Sequence, residues 1–98
     1  MLDSLHYDDF TPHLNSKFQL RAGNQSWEIE LVEVTDKSPS PKQEQFVLRF
    51  CAPLEAPPNQ ALFELEHAAL GAGVMFLVPV TRDANGLHYE AVFNRPRE

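Results

Sequence analysis

Apolar residues recur at every second position in six separate segments of this chain, and no stretch between them is long enough for a crossover helix. Phe18 and Leu20 alternate with Gln19 and Arg21, and Trp27, Ile29 and Leu31 with Glu28 and Glu30. The phase then slips to Val32 and Val34 around Glu33. A one-residue slip inside a strand is what a β-bulge produces, which places one near Leu31-Val32. Phe46, Leu48 and Phe50 share a face opposite Val47, Arg49 and Cys51, and Phe63 and Leu65 oppose Glu64 and Glu66. Val74, Phe76, Val78 and Val80 run together with Met75 and Leu77, and Leu87, Tyr89, Ala91 and Phe93 oppose His88 and Glu90. Period-2 patterning of this kind predicts six strands.

The connections restrict how those strands pair. Ala22-Gly23-Asn24-Gln25 and Asp83-Ala84-Asn85-Gly86 are hairpin signals, because Gly and Asn accept the positive φ that tight turns demand. His67 to Gly71 is a short link closed by a glycine. Parallel pairing needs a crossover of about a dozen residues, so the sheet is expected to be antiparallel. Pro79 brings no backbone donor, which places an edge or a bulge in its strand. The prolines of Ser38-Pro39-Ser40-Pro41 and of Pro53 through Pro58 read as loops. Before the strands, Ser4 is positioned to cap a short helix running to Asp8 or Asp9, and Thr11-Pro12 to start a single helical turn.

With no long helix to cover it, an apolar sheet face must close on itself or pack as a sandwich. The expected fold is all-β: a small antiparallel six-stranded barrel or sandwich with a short helical N-terminal segment. One domain is expected over residues 1–98, helical over 1–15 and β over 16–94. Phe76, Phe93, Trp27 and Tyr89 are assigned to the core face, each contributing roughly 1.5–3 kcal/mol when buried. The second face carries Val47, Leu62, Met75, Leu77 and Val92, with Cys51 beside them. Either Leu2, Leu5 and Phe10 of the N-terminal segment cover that face, or it meets another chain, since contiguous exposed apolar patches mark interfaces. These five residues are the candidate binding site.

The charge balance narrows the partners. A net charge of −6 opposes dedicated binding to a phosphate backbone, which requires clustered Lys and Arg, and opposes a polybasic membrane contact. No apolar run approaches the ~20 residues of a membrane span, and the acidic N-terminus differs from the basic start of a signal peptide. A lone Cys51 makes no internal disulfide, so a cytoplasmic location is expected.

Chemistry finds little purchase. The four histidines lack zinc-ligand spacing, and alternation places His67 with Phe63 and Leu65 but His88 on the opposite face with Glu90. There is no Gly-x-Ser-x-Gly, and Gly71-Ala72-Gly73 precedes a strand instead of a phosphate-cradling helix. Glu28, Glu30, Glu64, Glu66 and Glu90 read as the solvated face of strands. No catalytic residue, metal or cofactor is therefore expected.

Leu65-Glu66-His67-Ala68-Ala69-Leu70-Gly71, Phe76-Leu77-Val78-Pro79-Val80 and Tyr89-Glu90-Ala91-Val92-Phe93-Asn94, with Leu2-Asp3-Ser4-Leu5, Asp9-Phe10 and Trp27 through Val34, resemble a small bacterial family of unknown function. The resemblance covers nearly the whole chain, and the segment Asp36 to Gln43 is longer than the family's usual loop. It supplies no catalytic residues. It implies an accessory role beside tail-collar-like proteins of phage-tail type. The leading expectation is a non-enzymatic assembly or protein-binding module, acting on a protein partner or by self-association. The alternative is a small-molecule-binding β-barrel. On either reading the chain folds without metal or disulfide, so thermal melts with and without chelator and reductant should coincide; a large fall in midpoint with chelator would overturn this.

Overall fold

The computed structural model describes residues 2–97, and the six alternating segments are six strands. They are β1 (Lys17–Ala22), β2 (Gln25–Asp36), β3 (Gln43–Ala52), β4 (Ala61–His67), β5 (Gly71–Asp83) and β6 (Gly86–Pro96). Every neighbouring pair is antiparallel, and the ring closes in the order β1-β2-β3-β6-β5-β4. The three short links join β1 to β2, β4 to β5 and β5 to β6, and the two proline-bearing segments are the loops on either side of β3. Gly86 shows why the β5–β6 turn ends in glycine: its φ is +143°, and a Cβ there would lie 2.0 Å from the carbonyl oxygen of Ala52.

Two strands bend to close the ring. β2 pairs with β1 through Glu30 and with β3 from there on, with a register shift between Leu31 and Glu33. β5 pairs with β4 as far as Leu77 and with β6 from Val78, with a shift between Pro79 and Thr81. Both irregularities fall where the sequence places them, and the second sits beside the proline that brings no donor. The barrel is two small sheets that share their long strands, with corners made at bulges.

The inward positions form one core. Phe18, Leu20, Ile29, Leu31, Phe46, Leu48, Phe50, Leu65, Leu77 and Tyr89 are all fully buried. Phe18 meets Phe50 edge-on at 5.2 Å, and Phe46 stacks on Phe93 at 4.7 Å. Phe93 is half-buried and packs against the core. The Tyr89 hydroxyl donates to the carbonyl of Pro57, tying the second proline loop to the barrel, and burial pushes its pKa up to about 12.

One strand is turned over relative to expectation. Phe76 is 49% exposed on the outer wall, whereas Met75 and Leu77 point inward at 3% and 0%. β5 is apolar on both faces from Val74 to Val78, so alternation carries no phase there, and a one-residue error exchanges the faces. The pairing with β4 fixes it: Phe63 lies opposite Met75 and Leu65 opposite Gly73, so Met75 and Gly73 share the inward side of Phe63 and Leu65.

The N-terminal segment is also placed differently. It comprises a 3₁₀ turn (Leu2–Ser4), a short helix α1 (Tyr7–Phe10) and a second 3₁₀ turn (Thr11–His13) with Pro12 in its first positions. His6, not Ser4, occupies the cap position of α1, where its N–H donates to the Asp9 carboxylate at 2.8 Å. Leu2 and Phe10 are fully buried and belong to the interior core. Phe10 lies 5.9 Å from the rings of both Phe46 and Phe93. The segment therefore seals the barrel instead of covering its second face.

Phe46→Ala should cost ~3–5 kcal/mol in denaturant unfolding, the range for emptying a core aromatic site. Phe76→Ala should stay close to the ~0.5 kcal/mol typical of surface changes. Comparable losses in the two variants would show that the phase of β5 is wrong.

Candidate functional site: an apolar band on the outer wall

Charged side chains dominate much of the barrel's outside, and three cross-strand pairs tie some of them together. Lys17 bonds Glu30 at 2.8 Å, Arg21 bonds Glu66 at 2.8 Å, and Arg49 bonds Glu90 at 2.7 Å. The wall formed by β4, β5, β6 and the adjoining part of β3 is different. Leu62 is 68% exposed, Val92 61% and Val74 43%, with Phe76 among them. The ladders place Leu62 opposite Phe76 and Val47 opposite Val92. Val78 lies opposite Glu90, and the next outward positions along those two strands are Phe76 and Val92. An apolar band of two cross-strand pairs thus lies on the wall, Leu62 with Phe76 across the β4–β5 ladder and Val92 with Val47 across the β3–β6 ladder. The Arg21–Glu66 and Arg49–Glu90 pairs flank it.

Of the five residues expected on this face, Val47, Leu62 and Val92 lie on it, with Val47 half-buried. Met75 and Leu77 do not; they are core. Val74 and Phe76 take their places; the sequence pattern assigns Phe76 to the core and does not single out Val74. Counting residues through the His67–Gly71 link would have found them, since that turn carries the inward phase of Phe63, Leu65 and His67 onto Gly73 and Met75. Beside the band, Arg21, Glu64, Glu66, Ala72, Gly73 and Val74 border a shallow depression of about 230 Å³.

Two constellations resemble catalytic ones and are resolved by their hydrogen bonds. Ser16 Oγ lies 2.9 Å from His67 Nε2, the spacing of a nucleophile and its base. However, His67 Nδ1 accepts from the N–H groups of Ala69 and Leu70 at 3.0 and 3.1 Å. The proton is thereby assigned to Nε2, which donates to Ser16, and Ser16 in turn donates to the carbonyl of His13 at 2.6 Å. A histidine that donates to a serine does not deprotonate it. The imidazole is buried, 4.5 Å from the Phe18 ring and 4.8 Å from that of His13. Burial, helped by the nearby His13, lowers its pKa and keeps it neutral.

The second constellation places Cys51 opposite His88, whose Nε2 lies 3.1 Å from Asp83. The Cys51 thiol donates to the carbonyl of Asn85 at 3.4 Å. Burial and the neighbouring Asp83 and Glu30 raise its pKa, the reverse of an activated thiolate. Among the described residues no three His, Cys, Asp or Glu side chains form a group that would hold a metal, and no helix is long and apolar enough to cross a membrane.

A buried carboxylate anchors the N-terminal segment near the band. Glu44 accepts from His6 Nδ1 at 2.8 Å and from the Tyr7 N–H at 3.0 Å, with Arg95 Nε 3.6 Å away. Burial raises its pKa, but the bonds from His6 and Tyr7, with the charge of Arg95, outweigh that and leave it lowered.

The two shifts act in separate pH windows. The folded state lowers the pKa of His67 below 6.5, so its contribution is complete above that pH and is lost as pH falls beneath it. The folded state lowers the pKa of Glu44 below 4.5, so its contribution is present above that value and is lost on further acidification. In stability measured against pH, His67→Asn should flatten the upper part of the acid limb and Glu44→Gln the lower. A His67→Asn curve parallel to that of the unaltered chain would remove His67 from this account.

No curated protein and no solved structure matches the chain. One family's sequence profile does, over residues 5–93, and the chain belongs to that family, the domain of unknown function DUF6916.

Proposed function

We propose that this domain is a non-enzymatic protein-binding module that docks a partner protein on the outer apolar band. The observation that carries the reading is the run of Leu62, Phe76, Val74 and Val92, exposed together on a barrel whose outer wall elsewhere carries the Lys17–Glu30, Arg21–Glu66 and Arg49–Glu90 ion pairs. An apolar centre with a polar rim is the anatomy of a protein interface, and apolar patches of this kind mark contact sites. The N-terminal segment, the only part of the chain expected to cover the face, packs into the core instead. The small-molecule alternative is less well supported, because the interior is filled by the barrel's own aromatic and leucine side chains.

The setting proposed is cytoplasmic assembly, as an accessory to a phage-tail-like structure, on the resemblance carried by residues 65–71, 76–80 and 89–94. Nucleic acid and membrane surfaces are poor partners for a chain of net charge −6.

The test compares the intact chain with Leu62→Lys/Phe76→Lys as baits in extracts of the native host. Both side chains are exposed, so the variant should retain cooperative unfolding. An unpaired charge buried at an interface costs ~3–5 kcal/mol, which is roughly a hundredfold or more in Kd, so partners held by the intact chain should be lost. Identical proteins on the two baits would sink the reading.

A further inference from the structure

His67 holds a seat that short turns ordinarily give to Asn or Asp. Its Nδ1 accepts from the N–H groups two and three residues on, those of Ala69 and Leu70, at 3.0 and 3.1 Å. This is the pattern by which an Asn or Asp side chain folds the backbone that follows it. An Asn would fill the seat at any pH, because its carbonyl oxygen accepts hydrogen bonds whatever the acidity. An imidazole fills it only while Nδ1 carries no proton. The other ring nitrogen reaches Ser16 Oγ at 2.9 Å, and Ser16 donates onward to the His13 carbonyl at 2.6 Å. One ring thus joins the His67–Gly71 link to residues 13–16 before β1.

The surroundings of the ring suit its neutral form. His67 is 7% exposed, with the Phe18 ring 4.5 Å away. From the second 3₁₀ turn, His13 faces it edge-on at 4.8 Å. Lys17 of β1 and Glu66 of β4 border the depression of about 490 Å³ beside it, where β5 brings only Gly71 and Ala72. Lys17 is paired with Glu30 and Glu66 with Arg21. Among the described residues the histidines bonded to carboxylates are His6 and His88, not His67. A proton added at Nδ1 would therefore set an N–H against two N–H groups, in a buried place without a counter-ion.

We propose that His67 is an acid-operated latch: protonation at Nδ1 drives the ring from its seat and frees the His67–Gly71 link and residues 13–16 together, while the barrel stays closed. The event takes up one proton from solvent and changes no covalent bond. The ladders that close the ring lie outside the latch. β1 pairs with β4 through Gln19–Arg21 and Glu64–Glu66, and in the β4–β5 ladder only the last pair, His67 with Gly71, adjoins the link. Glu44 and the buried Phe10 hold the rest of the N-terminal segment independently. Burial and the nearby His13 keep the ring's pKa below its ordinary 6.5, so the latch is shut at neutral pH and opens in mild acid. The device stands apart from the outer band and needs no partner.

Hydrogen exchange on the full chain, read residue by residue by NMR and corrected for the intrinsic effect of pH, tests the latch. Between about pH 8 and about pH 5, the range over which imidazoles titrate, protection of the Ala69 and Leu70 amides should fall roughly tenfold or more. That of the Phe46–Phe50 amides should change less than about twofold. In His67→Asn the Ala69 and Leu70 amides should stay protected at both pH values, since the amide oxygen takes the seat. Unchanged protection at the lower pH, an equal fall in β3, or the same fall in His67→Asn would each overturn the latch. The imidazole nitrogens of the unaltered chain decide the matter even where the variant fails to fold. His67 should carry its proton on Nε2 at the higher pH and on both nitrogens at the lower, with one midpoint shared by the ring and by the Ala69 and Leu70 amide shifts. A proton on Nδ1 at the higher pH, or a ring midpoint unrelated to that of the amides, would overturn it as well.

Discussion

Closure of the ring governs the rest of this structure. A sheet with one strongly apolar face and no helix to cover it must wrap around that face, and six strands make a tight wrap. The chain manages it by bending β2 at Leu31–Glu33 and β5 at Pro79–Thr81, so that each long strand serves two sheets. A proline at the second bend costs little, because the ladder is interrupted there in any case. The same bends part the strand halves at the corners, so something else must cover the interior behind them. Residues before β1 do this by pairing with Leu31, and Leu2 and Phe10 do it by burying side chains in the core.

Polar groups inside such a barrel must be fully bonded, since a buried unpaired group costs about 1–3 kcal/mol. Glu44 and His67 meet this demand near the N-terminal segment. Glu44 gathers His6, the Tyr7 N–H and Arg95, which fixes where the segment crosses the barrel. Arg95 also lies 5.5 Å from the centre of the Phe93 ring, so its charge rests on the aromatic cluster it helps to close. His67 ties the β4–β5 turn to Ser16 and to the N–H groups of Ala69 and Leu70. Both are placed to hold segments together, and the direction of the hydrogen bonds at Ser16 separates this arrangement from a hydrolytic pair.

The parts of the fold that could be read in the sequence were those governed by local rules. Hairpin residues, alternation and the phase slip at Leu31 set strand number, pairing direction and one bulge, because turn geometry and side-chain period act over a few residues. The face of β5 was not legible by the same means, since a strand apolar on both sides has no alternation to read. Val47, Leu62 and Val92 were placed on the outer wall because polar neighbours marked their phase, while Met75 and Leu77 had none. Long-range bonding was also invisible. The cap at His6 and the seat of the N-terminal segment depend on Glu44, many residues away. A hint existed in that Glu44 is in phase with Phe46, Leu48 and Phe50, so the inward face of β3 carried a carboxylate that needed partners.

The two faces of β5 answer to different demands. The inward side of Gly73, Met75 and Leu77 is required by the core, where a polar residue would go unbonded. Nothing in the core requires Val74, Phe76 or Val78 to be apolar, since the strands beside β5 carry Glu64, Glu66 and Glu90 at equivalent outward positions. Barrels without covering helices ordinarily show polar residues there, and open edges are ordinarily blunted with charge. In this chain the outward run of β5 stays apolar and exposed where its neighbours are charged, so packing of the core does not account for it.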